Sequence, residues 1–280
     1  MQVSPSELPS EFADALARAS GRLGRLGSPI LYFTSIGSTN DVAMSLAASG
    51  TAEGATVVAD EQTSGRGRRG HEWFSPAGSG LYVSVVLTPA AGDERAVRLV
   101  TMTAGLALAE GIERQTGLRA DIKWPNDLFV GRRKLAGILA EGVLPEGGVS
   151  RGARVQDPLH VVLGYGINVE PAAYPRELSD RVTSVSSELG RPVDRADVFV
   201  ETLAALGRRY DDLLAGRFDT ILDGWRARAR GAEGAAVEWE TPGGTHGGVT
   251  CGVDGDGALL VRTARQLERV VSGELRWECF

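Results

Sequence analysis

A chain of 280 residues with 42% hydrophobic and 24% charged residues has the makeup of one large globular domain, or one large and one small. A formal charge of -6 and a sequence pI of about 5.3 argue against a general nucleic-acid binder, although a local basic loop can still hold phosphates. Two cysteines, Cys251 and Cys279, are too few for a disulfide framework or a four-ligand zinc site, and a reducing cytoplasm is the simplest home.

In chain order, Leu8, Phe12, Leu16 and Leu23 follow helical spacing, so one amphipathic helix is expected over 8–25. About 30 residues precede the first strand, Ile30 to Phe33, too few for a separate DNA-binding domain. The N-terminus has neither the basic nor the apolar region of a signal peptide. Ser38 or Thr39 can cap a helix running to about Ser49. Thr56 to Asp60 reads as a strand leading into a long Gly/Arg/Ser loop, 61–75. Gly80 to Leu87 is a strand, and Asp93 to Thr116 a long, mostly buried helix. Its apolar stretch 99–112 is too short to span a membrane and carries Glu110. Ala120 to Trp124 and Lys134 to Val143 read as strands, with Leu128 to Val130 between them and a hairpin turn near Gly131. A Gly/Pro/charged loop over 145–157 precedes the strand Leu159 to Val169. Residues 176–229 turn helical, with Asp194 capping a helix whose inner face carries Val198, Phe199, Leu203, Leu206, Tyr210, Leu213 and Leu214. After Arg230, glycines punctuate short strands, the pattern of a small β-barrel. The division expected is 1–229 for the larger domain, with a mixed sheet, and 231–280 for the smaller.

Four stretches carry chemistry. Gly65-Arg66-Gly67-Arg68-Arg69-Gly70 can present guanidinium forks and backbone N–H groups to one polyanion. It is also readable as a solvated basic loop, or less readily as an RGG-like nucleic-acid contact, and it lacks the Gly-Lys-Ser/Thr of a Walker loop. Lys123-Trp124-Pro125-Asn126-Asp127 delivers a cation, an aromatic, an amide and a carboxylate from a strand end; Pro-Asn-Asp is also a good β-turn. Ser38-Thr39-Asn40 suits either a helix cap or a polar ligand group. Gly164-Tyr165-Gly166-Ile167-Asn168 ends an apolar strand, where sheets bind ligands, but Gly-x-Gly alone is a weak signal. His71, His160 and His246 lack metal spacing, and no nucleophile stands out, which leaves positioning and charge stabilisation of an anionic reactant. Lys123 and Lys134 are the only lysines among 30 Lys and Arg residues; one opens the second stretch and the other follows eleven residues later. Compositional bias explains the scarcity; their clustering points to a need for a compact, movable ammonium.

Taken in order, Ser38-Thr39-Asn40, Glu61-Gln62, Gly65 to Gly70 with Trp73 and Ser75-Pro76, Lys123 to Asp127, Lys134 to Leu139, and Gly164 to Asn168 resemble the catalytic domain of biotin protein ligases, also called biotin–[acetyl-CoA-carboxylase] ligases. The resemblance covers about residues 30–170. It implies an α+β fold, a mixed β-sheet flanked by helices, with a small C-terminal SH3-like β-barrel. It also implies ATP-dependent formation of biotinyl-5′-AMP with Mg²⁺, followed by transfer of biotin to a lysine of the carrier domain of acetyl-CoA or another biotin-dependent carboxylase.

On the resemblance, Lys134, Arg66 and Arg68 are the catalytic residues. Ser38, Thr39, Asn40, Gln62, Gly65, Arg66, Lys134 and Gly137 belong to the biotin side, with Trp73 or Leu139 contributing an apolar floor. Arg68, Arg69, Trp73, Lys123, Asn126, Asp127 and Asn168 belong to the ATP side. Asp127 is the candidate for a Mg²⁺ contact or for orienting the incoming lysine; the metal ligands are otherwise unassigned. Related lipoate ligases would share the fold without this combination of motifs. The short N-terminus departs from the family's DNA-binding members, so no direct DNA binding is expected, and no membrane association. A homodimer through an exposed strand edge is admitted but not required. Gly273-Glu274-Leu275-Arg276 matches the family's terminal pattern only loosely and receives no role.

Overall fold

The computed structural model describes residues 4–89, 93–143, 160–241, 244–271, 273 and 275–277; the loop expected over 145–157, Glu274 and Cys279 lie outside them. Helix α1 (Ser10–Ala19) is shorter than its apolar spacing suggests. It gives way to a 3-10 turn at Ser20–Arg22, and Gly24 at φ 61° leaves the helical region altogether. Then follow β1 (Ile30–Phe33), α2 (Thr39–Ala48), β2 (Thr56–Ala59), β3 (Gly80–Leu87) and α3 (Glu94–Thr116). Next come β4 (Asp121–Lys123), β5 (Asp127–Val130), β6 (Arg133–Val143) and β7 (His160–Asn168). Helices α4 (Arg176–Ser179), α5 (Val185–Leu189), α6 (Arg195–Leu214) and α7 (Phe218–Arg226) lead to β8 (Glu233–Thr241), β9 (Gly244–Val253), β10 (Leu259–Arg262), β11 (Leu267–Val270) and β12 (Leu275–Trp277). The two long helices start where an acidic cap permits. The Asp93 carboxylate accepts from Ala96 N–H, and that of Asp194 from Ala196 and Asp197 N–H. None of the described helices is long and apolar enough to cross a membrane.

The main sheet has seven strands in the order β1-β2-β3-β7-β6-β5-β4. Only β1 and β2 run parallel; every other pair is antiparallel, so the sheet is mixed, as expected. The period-two alternation of strands sorts its side chains onto two unlike faces. One face carries Val83, Val85, Ala136, Ile138, Leu163, Tyr165 and Ile167, all in the main core beneath α3 and α6. On the other face Val86, Val143 and Val162 meet Ala43 and Ala47 of α2 in a smaller core. Beside that core the second face carries the row Gly166–Gly137–Asp127 and its neighbours Ser84, Gly164 and Leu139, paired in register across β3, β7, β6 and β5.

The C-terminal strands form a separate antiparallel sheet, β11-β10-β9-β8-β12. Its apolar residues Val237, Val253, Leu259 and Val261 are continuous with the main core. Its β9–β10 turn docks on α3. Arg95 Nε donates to Gly255 O at 2.9 Å, and Trp124 Nε1 donates to Gly257 O at 3.0 Å. Gly257 has φ 80°, and a Cβ there would stand 2.4 Å from Met102 Sδ, so both conformation and space demand glycine.

Candidate active site

A cavity of about 630 Å³ opens over the stripped part of the second face. That size suits a ligand of a few hundred daltons, within the roughly 300–1,000 Å³ common for such sites. Its floor is low because three strand positions lack side chains. A Cβ at Gly164 would lie 2.0 Å from Asn40 Oδ1, one at Gly166 2.2 Å from Trp73 Nε1, and one at Gly137 2.9 Å from the Trp73 ring. Two side chains therefore lie flat on a sheet that any larger residue would hold away.

At one end stands a neutral hydrogen-bonding set from the start of α2, the segment after β2, and β3. The Gln62 Oε1 accepts from Thr39 N–H at 2.9 Å and lies 3.1 Å from Thr39 Oγ1; Gln62 Nε2 donates to Ser75 Oγ at 2.9 Å. Ser84 Oγ lies 2.8 Å from Thr39 Oγ1 and 2.5 Å from Asn40 Oδ1. Ser38, Thr39 and Asn40 are buried. Ser38 occupies the cap position of α2, its side chain makes no capping hydrogen bond, and the residue lines the cavity.

At the other end is a charged set. The register of β5 on β6 slips by one residue at Leu135, and Lys134 is re-aimed over Gly137, with Nζ 3.4 Å from where a Cβ would be. Its ammonium is 2.7 Å from Asp127 Oδ1 and 5.3 Å from the centre of the Trp73 ring. The Lys134 backbone is fixed separately: its N–H donates to Arg181 O, and its carbonyl accepts from Thr183 N–H, at 2.8 and 2.9 Å. Asn126 bridges outward. Its Nδ2 donates to Ile138 O at 2.7 Å, and its Oδ1 accepts from Arg68 at 3.2 Å. Lys123 Nζ sits 5.0 Å over the Phe129 ring. Burial pushes the Tyr165 phenol up from its ordinary range, so that group stays neutral.

The 61–75 segment, expected as a loop, closes on itself as an irregular hairpin. Gln62 pairs with Ser75 and Arg66 with Glu72, while Trp73 N–H donates to Gly65 O and Gly67 N–H to His71 O. Arg68 and Arg69 thereby reach its tip, with Arg66 on the paired arm beside it. Arg69 there has φ 56°, a left-handed conformation that a side chain adopts only at some energetic cost, and such strain concentrates at functional loops. Gly65 lies at the base, where a Cβ would be 2.3 Å from Trp73 O.

The structure thus brings Ser38, Thr39, Asn40, Gln62, Arg66, Arg68, Arg69, Trp73, Lys123, Asn126, Asp127, Lys134, Gly137 and Leu139 around one cavity. Asn168 is not among its lining residues. Its side chain is buried, and Nδ2 donates to Thr183 O at 3.0 Å, which pins the segment carrying Arg181 and Val182. Gly65 likewise acts beneath the lining rather than in it. Residues not expected there also line the cavity: His71, Asp180, Arg181 and Val182, and from the C-terminal segment Gly273, Leu275 and Trp277. A second cavity of about 430 Å³ shares Arg68, Arg69 and Asn126 with the first and extends to Gly257 and Val271.

Comparison with known proteins agrees with this architecture. Residues 32–168, which supply most of the cavity, match the biotin/lipoate A/B protein ligase family. The bifunctional ligase/repressor BirA of Bacillus subtilis (strain 168) is 34% identical over 269 residues, 95% of this chain and 79% of that protein. A biotin–[acetyl-CoA-carboxylase] ligase of Paracoccus denitrificans is 36% identical over 237 residues, 80% of this chain and 90% of that protein. The structure of a biotin protein ligase from Aquifex aeolicus in complex with biotin and ATP is similar at a TM-score of 0.74 and 26% identity, over 90% of this chain and 99% of that one. With the same glycine-floored sheet, arginine hairpin and Lys134–Asp127 pair lying inside the matched span, the chain belongs to the biotin/lipoate A/B protein ligase family.

Proposed function

We propose that this chain is a biotin–[biotin carboxyl carrier protein] ligase. The observation that carries the reading is one cavity with a neutral hydrogen-bonding end, at Thr39, Asn40 and Gln62, and a cationic end, at Lys134 and the arginine hairpin. A ureido ring offers two N–H donors and a carbonyl acceptor to the first end, whereas the dithiolane of lipoate offers nothing comparable. The valeryl chain then runs over Gly137 and Gly166 toward Lys134.

The first step joins two anions. A biotin carboxylate oxygen attacks the α-phosphorus of ATP, the bond to the β-phosphate breaks, and pyrophosphate leaves. Two unit charges at 4 Å repel by about 1 kcal/mol in water and about 4 kcal/mol in a partly buried site. Lys134 offsets that repulsion, and its point charge follows the group from carboxylate to acyl phosphate. Asp127 holds the ammonium in place meanwhile. Arg66, Arg68 and Arg69 cover the mixed anhydride and exclude water. In the second step a carrier lysine amine attacks the acyl carbon and AMP leaves. Trp73 Nε1, buried without an acceptor, is a donor that a ligand oxygen can satisfy.

Mg²⁺ belongs to this reading as the partner of the nucleotide phosphates. Among the described residues no group of three or more His, Cys, Asp or Glu side chains could hold a metal, and Asp127 is already paired. That fits an ion held chiefly by phosphates and water, with at most one carboxylate. The reading also divides the chain into a ligase domain at 1–229 and a β-domain at 231–280, and sets it in the cytoplasm.

ATP–pyrophosphate exchange tests the proposal. Exchange is expected with biotin and not with lipoate or without either. Exchange driven by lipoate alone would overturn it.

A further inference from the structure

The neutral and cationic ends of the cavity are not independent. Glu141, on the part of β6 that extends beyond its pairing with β5, places one carboxylate oxygen between them. Its Oε2 accepts from Asn40 Nδ2 at 2.7 Å and from the Arg66 guanidinium at 2.7 Å. Asn40 is held on its other side by Ser84, and Ser84 contacts Thr39, which binds Gln62. Arg66 continues outward to Asp41, at 3.0 Å. A continuous polar chain therefore runs Gln62–Thr39–Ser84–Asn40–Glu141–Arg66. It joins elements 101 and 75 residues apart in sequence, since Glu141 is that far from Asn40 and Arg66.

We infer that Glu141 is a positioning residue for the ligation, the joint that ties the ring-binding side chains to the hairpin covering the cavity. The inference rests on the proposed function for its ligand, but not for its geometry. Glu141 does not line the cavity, so its effect passes through Asn40 and Arg66. One oxygen serves both partners, and both bonds are charge-assisted. Removing the charge weakens both bonds at once, because a neutral amide oxygen is a poorer acceptor than a carboxylate for the Arg66 guanidinium and the Asn40 amide. Asp41 differs: its carboxylate pairs with Arg66 from a mostly exposed position, so it adds grip on the hairpin without reaching the ring side. The coupling therefore runs through Glu141.

Glu141→Gln tests this in the full chain, because it keeps the side chain's size. In ligand-free protein, trypsin cleavage at Arg66, Arg68 and Arg69 should accelerate by roughly tenfold, the loss of one charge-assisted hydrogen bond. The KM for biotin and the off-rate of biotinyl-AMP should rise by a similar factor, roughly tenfold, while the KM for ATP stays within about twofold. Asp41→Asn should speed cleavage but leave the KM for biotin alone. Glu141→Asp, charged but too short to reach both partners, should fall between wild type and Gln in both readouts and serves as the test if the Gln variant does not fold. Unchanged cleavage in Glu141→Gln, or faster cleavage with unchanged KM for biotin and off-rate, would overturn the joint. Equal effects of Asp41→Asn and Glu141→Gln on the KM for biotin would overturn it too. If wild type shows no biotin-dependent exchange while cleavage responds as expected, the joint between loop and sheet stands and the functional reading is what fails.

Discussion

The two faces of the seven-stranded sheet are built from the same strands by opposite means. One face is filled: Val83, Val85, Ile138, Leu163 and Ile167 alternate into the core under α3 and α6. The other is emptied at Gly137, Gly164 and Gly166, so that Asn40 and Trp73 lie against the backbone. Each filled position contributes roughly 1.5–3 kcal/mol by leaving water. Each emptied position gives up that gain, and weakens its strand as interior glycine does. The contrast says which substitutions cost stability and which cost chemistry.

The largest effect should come from Lys134, on the emptied face. Lys134→Arg keeps the charge but replaces a point ammonium, fitted between Asp127 and the Trp73 ring, with a broad planar fork. Adenylate formation should fall by roughly 10²–10³-fold, the loss typical of a displaced electrostatic group. The thermal midpoint should hardly move. Near-normal pyrophosphate release by this variant would mean that charge alone suffices.

Next is a matched pair on one strand. Gly164→Ala sets a methyl where the Asn40 carboxamide lies, so the KM for biotin should rise by roughly ten- to a hundredfold, as for loss of one or two hydrogen bonds. Ile167→Ala, buried on the filled face, should cost about 2–5 kcal/mol of stability by leaving a cavity, with the KM for biotin unchanged in the folded fraction. Measuring both quantities on both variants decides the matter. If the two changes had the same signature, the division of faces would be wrong.

The filled face was the more legible of the two in sequence. The bounds of β1 and β3 and the cap at Asp194 follow directly from apolar runs and an acidic start. The arginine-rich segment Gly65 to Gly70, Lys123 to Asp127 and Lys134 were also legible as polar stretches, because their polar density is local, though the sequence indicates a loop where the structure has a hairpin. What escaped was made by distant pairs. Gly164-x-Gly166 read as a weak signal, since its reason lies in Asn40 and Trp73. Glu141 and Ser84 carried no motif, for their partners sit on other elements. Asn168, which the resemblance placed on the nucleotide side, is buried with its Nδ2 donating to Thr183 O, a contact that no local motif announces. Ser38 read as either a cap or a ligand group; it makes no capping side-chain hydrogen bond and lines the cavity.

A smaller effect should come from the hairpin tip, which lies over the emptied face without belonging to it. Arg68 donates to Asn126 Oδ1, and Asn126 is held to β6 by two further hydrogen bonds with Ile138. Arg68→Ala should therefore leave the floor intact and speed release of biotinyl-AMP by about tenfold, the worth of one such bond. A stopped-flow chase with unlabelled intermediate measures it. An unchanged off-rate would remove Arg68 from the cover.

The smallest effect concerns the place where the filled face reaches the site, the turn from Asp254 to Ala258. Burial pushes the Asp254 carboxyl up. The Arg269 guanidinium and the N–H groups of Ala258 and Asp256 outweigh it, so the folded pKa lies below the ordinary value. A depressed folded pKa means stability that is whole above the unfolded pKa and is lost as pH falls through the folded one. The window lies below about pH 4, where an unperturbed carboxyl titrates. Because solvent screens this partly exposed pair, the loss in thermal midpoint should be on the order of one degree. Asp254→Asn should be less stable than wild type at neutral pH and converge with it in acid. The same turn presents Gly255 O to Arg95 of α3 and Gly257 O to Trp124 beside the cavity. Loosening it should thus change the fluorescence of Trp124, read in a chain whose other tryptophans are replaced by phenylalanine, over the same acid window. A thermal difference without that spectral change would place the turn wholly with the filled face, and a spectral change at neutral pH in Asp254→Asn would tie it to the emptied one.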